Sequence, residues 1–195
     1  SLDGPRIKTA ENGVGSLDVA SISPDHAVSS EVLGARQIEI LRGPATLLYG
    51  SGAIGGLVNV VTDRIPQVHS DGTRLLADLR GSTAERARDV GAQLRSSAGP
   101  LAFTGEFSDR RSDDYATARA GRLANSDAAA RNGSIGTSWI FDSGYVGIGG
   151  NRFESEYGIP SSDRPRIDLA RNRVEVNGEF IRDATGQPTR IILVV

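Results

Sequence analysis

Two hydrophobic rhythms divide the chain. From about residue 73 onward apolar and polar positions alternate. Leu75, Ala77 and Leu79 alternate with Arg74, Asp78 and Arg80, and Val90, Ala92 and Leu94 alternate with Asp89, Gln93 and Arg95. Leu101, Phe103 and Phe107 alternate with Thr104, Glu106 and Ser108. Ile135, Thr137, Trp139 and Phe141 alternate with Ser134, Gly136 and Ser138, and Val174, Val176 and Phe180 with Arg173, Glu175, Asn177 and Glu179. Each run reads as a strand with one apolar and one polar face, and the whole region to the C-terminus reads as about seven strands. Short turns at Ala98-Gly99-Pro100, Asp142-Ser143-Gly144 and 183–187 join some neighbours. Longer polar segments, 109–132 and 155–166, join others.

Before Pro66 the pattern is irregular. Arg6 to Ala10 reads as a short strand, and Glu11-Asn12-Gly13 is a hairpin signal. Ile38 to Leu41 is a second strand. Arg42-Gly43-Pro44 ends it, and Pro44 suits the first turn of a helix over Ala45–Tyr49. Leu57 to Thr62 is a third strand, too continuously apolar to face water. These elements predict a small mixed α/β domain over residues 1–66, with the alternating strands filling 67–195. The glycines spell Gly50-x-Gly52-x-x-Gly55, but a dinucleotide site needs a strand before that pattern and a long helix after it. Here a helical turn precedes it and a strand follows.

Alternation alone fits either a soluble β-sandwich or a membrane barrel. Three features match a barrel, and the second of them favours it over the sandwich. Short and long connections alternate, as periplasmic turns and external loops do. The polar faces carry repeated Arg, Glu and Asp, as a wet lumen would. Phe107, Trp139, Phe141, Tyr145, Phe153 and Phe180 lie near strand ends, where aromatic girdles sit. Strands of about ten residues match a tilted crossing of the bilayer.

Composition narrows the function. The 195 residues include 24 glycines, no cysteine and no methionine, with a net charge of −2. Cysteine chemistry is excluded, and the charge gives no reason to expect nucleic acid. No apolar run approaches the ~20 residues of a spanning helix. With no methionine at residue 1 and the chain stopping within the apolar stretch Ile191–Val195, a fragment or processed chain is expected. No acid–base pair or nucleophile triad points to an enzyme.

The stretch Ile38-Glu39-Ile40-Leu41-Arg42-Gly43-Pro44-Ala45-Thr46-Leu47-Leu48-Tyr49-Gly50, followed by Ala53-Ile54-Gly55-Gly56-Leu57-Val58-Asn59-Val60-Val61-Thr62, resembles the end of the plug domain of TonB-dependent outer-membrane receptors. The resemblance implies a plug leading into antiparallel transmembrane β-barrel strands in the outer membrane of a Gram-negative bacterium, with lipid around the wall. It implies energised transport and a TonB-type partner, whose binding segment would lie before Ser1. In the family the positions of Glu39 and Arg42 lock the plug to charges on the barrel wall; read alone, they are a surface pair worth little.

The segment Ser23-Pro24-Asp25-His26-Ala27-Val28 is similar to the zinc-uptake branch, where this Asp-His pair faces the metal. Imidazole and carboxylate are ligand types for zinc and similar divalent ions. The resemblance thus implies Asp25 and His26 as ligands to a transported metal ion, with no resident cofactor. Read alone, the pair is a capping Asp and a surface His. Tyr157-Gly158-Ile159-Pro160 with Asp168 also resembles the early barrel of that branch, which would put Tyr157 and Asp168 at the external vestibule. His69 reads as a solvated loop residue. The alternatives are a siderophore or haem receptor of the same architecture, binding a metal chelate, and a soluble β-rich binding module.

Overall fold

The computed structural model describes residues 7–15, 34–43, 53, 55–119, 121–181 and 188–194. The chain divides into two compact units, Ser1–Thr62 and Asp63–Val195. Residues 63–66 fall with the second unit, whereas the sequence pattern put the division after Pro66.

The first unit holds β1 (Ile7–Glu11), β2 (Val14–Gly15), β3 (Ala35–Leu41) and β4 (Gly56–Thr62). They form one sheet in the order β2-β1-β4-β3. The hairpin expected at Glu11-Asn12-Gly13 joins β1 to β2, with Glu11 paired to Val14. Asn12 and Gly13 both take positive φ, 54° and 81°, the conformation that favours Asn-Gly in a two-residue turn. β4 pairs parallel with β1 and antiparallel with β3. Ala10, Ala53, Leu57 and Val60 are buried, as the continuous apolar run of β4 requires. A strand follows Gly55, which removes the helix that a dinucleotide site needs. The helix expected over 45–49 lies outside the described residues.

The second unit is built on β5 (Arg74–Gly81), β6 (Arg88–Ala98), β7 (Leu101–Ser112), β10 (Ala128–Phe141), β11 (Gly144–Gly158), β12 (Arg166–Ile181) and β13 (Pro188–Val194). These seven form one sheet in the order β13-β12-β11-β10-β7-β6-β5, every neighbouring pair antiparallel. A small hairpin, β8 (Ala116–Thr117) with β9 (Gly121–Arg122), sits in the long connection between β7 and β10.

Register assigns the faces. Leu94, Gly105, Ile135, Gly150 and Val174 form one cross-strand row, and Phe103, Thr137, Ile148, Val176 and Leu193 form another on the same face. The large apolar side chains of this face are exposed, Ile135 by 73%. The opposite face carries buried Ser108, Asn132, Ser134, Ser138, Asn151, Arg173, Glu175 and Asn177. A sandwich would show the reverse, with apolar residues facing a second sheet. An apolar exterior and a polar interior are what a membrane wall requires.

The strands outrun the hydrophobic pattern. β7 continues to Ser112, β10 begins at Ala128 and β11 reaches Gly158, so the connections are 113–127 and 159–165 rather than 109–132 and 155–166. The backbone ladder persists where apolar alternation has ended, because a strand leaving hydrocarbon still needs its partners but not its greasy face. On the outer face these extensions carry Asp109, Arg111, Arg131, Arg152, Glu154, Glu156 and Asp168, the charges that line an open groove there. Asp168 pairs with Glu156 on this outer face, while Tyr157 pairs with Ile167 on the inner one. The two residues expected at one vestibule therefore point to opposite sides. The girdle also needs correction. Phe107, Trp139, Phe141 and Phe180 share the outer face, and the rings of Phe141 and Phe180 lie 5.6 Å apart. Tyr145 and Phe153 are buried on the inner face, because they fall on the opposite parity of β11 from Val146 and Ile148.

A charge placed in the apolar rows tests this assignment. Ile135→Arg in the full-length protein in a membrane should cost about 2–4 kcal/mol, the penalty for arginine at mid-bilayer on a barrel's lipid face. Ser134→Arg, one residue along and facing inward, should not carry that lipid penalty. Urea unfolding in lipid vesicles measures both.

Candidate functional site

Of the expected site residues, Asp25 and His26 lie outside the described residues. Glu39 and Arg42 are described. Glu39 lies in β3, opposite Asn59 of β4. The Asn59 side-chain amide donates to Glu39 Oε2 at 2.8 Å, and Asn59 Oδ1 accepts from the Gly13 N–H at 2.9 Å. One buried asparagine thus links the Glu39 carboxylate to the hairpin turn. Asn12 clasps the end of β4 in the same way: its Oδ1 accepts from the Thr62 N–H at 2.8 Å and its amide donates to Thr62 Oγ1 at 3.0 Å. Arg42 is exposed just beyond β3 and has no ion-pair partner among the described residues. His69 is exposed in the link before β5.

The sequence pattern did not mark the segment Asp63–Pro66, yet it lies directly on the inner face of the wall. Arg95 Nη1 donates to Asp63 Oδ2 at 2.8 Å. Thr104 Oγ1 donates to the Arg64 carbonyl, and Ser138 Oγ donates to the Pro66 carbonyl at 2.6 Å. Arg64 Nη1 donates to Glu175 Oε1 at 3.1 Å, and Arg173 Nε stands 3.4 Å from Glu175 Oε2. The Arg64 and Glu175 side chains are 6% and 5% exposed. Gly136, Gly147 and Gly149 provide the bed. A Cβ on Gly136 would run into the Arg64 carbonyl, one on Gly147 into the Ile65 side chain, and one on Gly149 would press on both residues at 3.1 Å. In a strand such glycines signal close approach of another backbone. That signal was present in the sequence, though it does not say which segment approaches.

A second cluster ties the long connections together at the other end of the strands. Arg166 grips both carboxylate oxygens of Asp127, at 3.0 and 2.8 Å, and donates to Glu156 at 3.1 Å. Asn125 donates to the Ile159 and Pro165 carbonyls at 2.8 and 2.9 Å. Ser126 joins Leu123, Tyr115 and Asp114. The Asp113 N–H donates to the Glu85 carbonyl. Connections from three hairpins are thereby bonded to one another. Among the described residues no three His, Asp or Glu side chains converge as a metal-ligand set.

With this geometry in place, the chain can be set beside known proteins. Residues 1–57 match the family model described as TonB-dependent Receptor Plug Domain. The chain is 29% identical over 169 residues to the Vitamin B12 transporter BtuB of Photobacterium profundum, an alignment covering 82% of this chain and 25% of that protein. Over 28 residues, 14% of this chain and 4% of the relative, it is 64% identical to the Ferric enterobactin receptor PirA of Pseudomonas aeruginosa. In fold it is similar to a solved structure of the Copper transporter OprC, with a TM-score of 0.76 at 17% identity, covering 98% of this chain and 29% of that one. The chain spans about a quarter of the length of the transporter it matches along most of its sequence. The plug-domain match thus lies within the first unit, and the fold along nearly the whole chain is that of the solved transporter structure.

The Arg166 cluster gives these connections a pH dependence. Hydrogen bonds from Arg166 hold the Asp127 carboxyl below its ordinary value, against the opposing effect of partial burial. A depressed carboxyl contributes stability above its unfolded pKa of about 3.9, and that contribution fades as pH falls through the lower folded value. Amide exchange at Gly158, whose N–H donates to the Asp127 carbonyl at 3.1 Å, should be faster in Asp127→Asn than in the parent near neutral pH. The difference should close in strong acid.

Proposed function

We propose that this chain is part of a TonB-dependent outer-membrane receptor that takes up a metal ion or metal chelate. One observation carries the reading: a plug-domain match over residues 1–57 runs directly into a seven-stranded antiparallel wall, apolar outside and polar inside. A wall of this kind separates lipid from a wet lumen, and a plug gives that lumen something to close it. The outer apolar rows face membrane lipid. A TonB-type energy-transducing protein acts on the plug, and Glu39 and Arg42 hold the plug to the wall at rest. Asn59 donates to Glu39 Oε2 at 2.8 Å, while Oε1 takes only a long, exposed contact of 3.4 Å from Gln37, so Oε1 is the oxygen we assign to that lock, in exchange for the Gln37 contact.

For substrate, the first reading is zinc or a similar divalent ion, contacted by Asp25 and His26. Borderline imidazole nitrogen with carboxylate oxygen suits such ions, and a fold neighbour named as a copper transporter shows the architecture in a protein named for metal-ion transport. The second reading is a ferric siderophore, favoured by the short, highly identical match to a ferric enterobactin receptor. In that case Asp25 and His26 serve the plug's structure.

Calorimetry on the full-length receptor separates them. Under the first reading, Asp25→Ala with His26→Ala weakens Zn²⁺ binding by at least about tenfold, since loss of even an outer-shell partner has that effect at metal sites. Unchanged Zn²⁺ affinity removes the first reading. Saturable ferric enterobactin binding with no Zn²⁺ binding selects the second.

A further inference from the structure

The segment Asp63–Pro66 has no role in the reading above, yet it is held to the wall by every means a polar surface offers. Its side chains make two ion pairs, Asp63 with Arg95 and Arg64 with Glu175. Two of its carbonyls, those of Arg64 and Pro66, accept from wall hydroxyls. Arg64, Ile65 and Pro66 are all buried. Three inward-facing glycines on β10 and β11 leave the space it fills. A segment that merely connected two units would not need a bed cut for it across two strands. Nor would it need a buried ion pair, which is weak evidence for stability but strongly fixes geometry once formed, because removing either partner leaves an uncompensated buried charge.

We infer that Asp63–Pro66 is a stationary anchor. Arg64 and Glu175 are positioning residues that keep the trailing end of the plug fixed to the wall while the plug ahead of it is displaced during uptake. Displacement ends at Thr62, where the first unit ends and the anchored segment begins. The glycine bed sets the position of the anchor and the Arg64–Glu175–Arg173 cluster sets its strength. Work done on the plug then goes into moving plug residues, and the chain does not slide along the wall. This inference rests on the receptor reading given above.

The test uses the full-length receptor in outer-membrane vesicles, in a cysteine-free background with Ile65→Cys as reporter and a water-soluble maleimide as probe. At rest, labelling at residue 65 is slow. Glu175→Gln accelerates it about tenfold by removing the buried ion pair with Arg64, while Glu175→Asp stays near the parent. Gly149→Val accelerates it independently by filling the bed. Labelling that neither change alters overturns the anchor. In the second arm the vesicles are energised with the coupling partner and given Zn²⁺ or ferric enterobactin, and Ala53→Cys reports on the plug. The expected result is faster labelling at residue 53 with none at residue 65. Acceleration at residue 65 overturns the anchor. If neither reporter responds to energisation, the receptor reading fails, and the resting arm still decides whether the segment is anchored.

Discussion

A backbone facing hydrocarbon must satisfy its N–H and C=O groups inside the protein, because lipid offers no partners. That constraint organises the larger unit. It keeps every neighbouring strand antiparallel and in continuous register, fourteen pairs long between β10 and β11 and fifteen between β11 and β12. It also explains why the ladders continue past the last apolar row. Beyond the strand ends, Asn125 bonds the connection 113–127 to 159–165, Ser126 closes the first connection on itself, and Arg166 of β12 ties Asp127 to Glu156.

Once the outer face is given to lipid, the inner face is free to be polar, and polarity is what lets a segment without regular structure bind there. Asp63–Pro66 has carbonyls to offer, and Thr104 and Ser138 meet them. An apolar inner wall would have left those carbonyls buried and unsatisfied, at about 1–3 kcal/mol each. The glycine bed follows from the same logic. Gly136 and Gly149 are register partners, so removing both side chains clears a passage wide enough for a backbone. The polar wall and the anchor are therefore a single feature.

Much of this was legible in the sequence, and the rest was hidden for identifiable reasons. Alternation at Leu75–Leu79, Val90–Leu94, Leu101–Phe107, Ile135–Phe141 and Val174–Phe180 marked the wall strands because one face of each is oily. It missed the extensions of β7, β10 and β11, where the outer face turns charged and no apolar period survives. Tyr145 and Phe153 look like girdle residues in a list of aromatics, and only the parity of β11 turns them inward. Asn-Gly at 12–13 announced the hairpin, but nothing local could reveal that β1 runs parallel to β4, since that pairing joins residues far apart in the chain. Glu39 stood out as a charge, whereas its tie to Asn59 needed the β3–β4 register. Asp63–Pro66 carried no pattern of its own; its meaning lies in glycines more than seventy residues downstream.

The two faces of the wall also treat charge differently. On the outer rim Arg111 and Arg131 share Asp109, Arg152 closes on Glu154, and Arg166 holds Asp127 and Glu156. Charges cancelled at such short range leave little field beyond a Debye length of ~8 Å, so this rim does not draw ions from solution; it fastens strands whose apolar contacts have run out. Forked contacts such as Arg166 with Asp127 use the planar guanidinium, which lysine cannot imitate, and Lys8 is the sole lysine in the chain. On the inner face Arg173 and the anchor's Arg64 converge on the one carboxylate of Glu175, away from solvent. There screening is weak, and the three charges are held close together out of water. Losing an exposed outer pair costs little global stability, whereas breaking the buried Arg64–Glu175 pair costs more. That difference is why the fixed point of the chain lies at Arg64 and Glu175 rather than among the more numerous ion pairs outside.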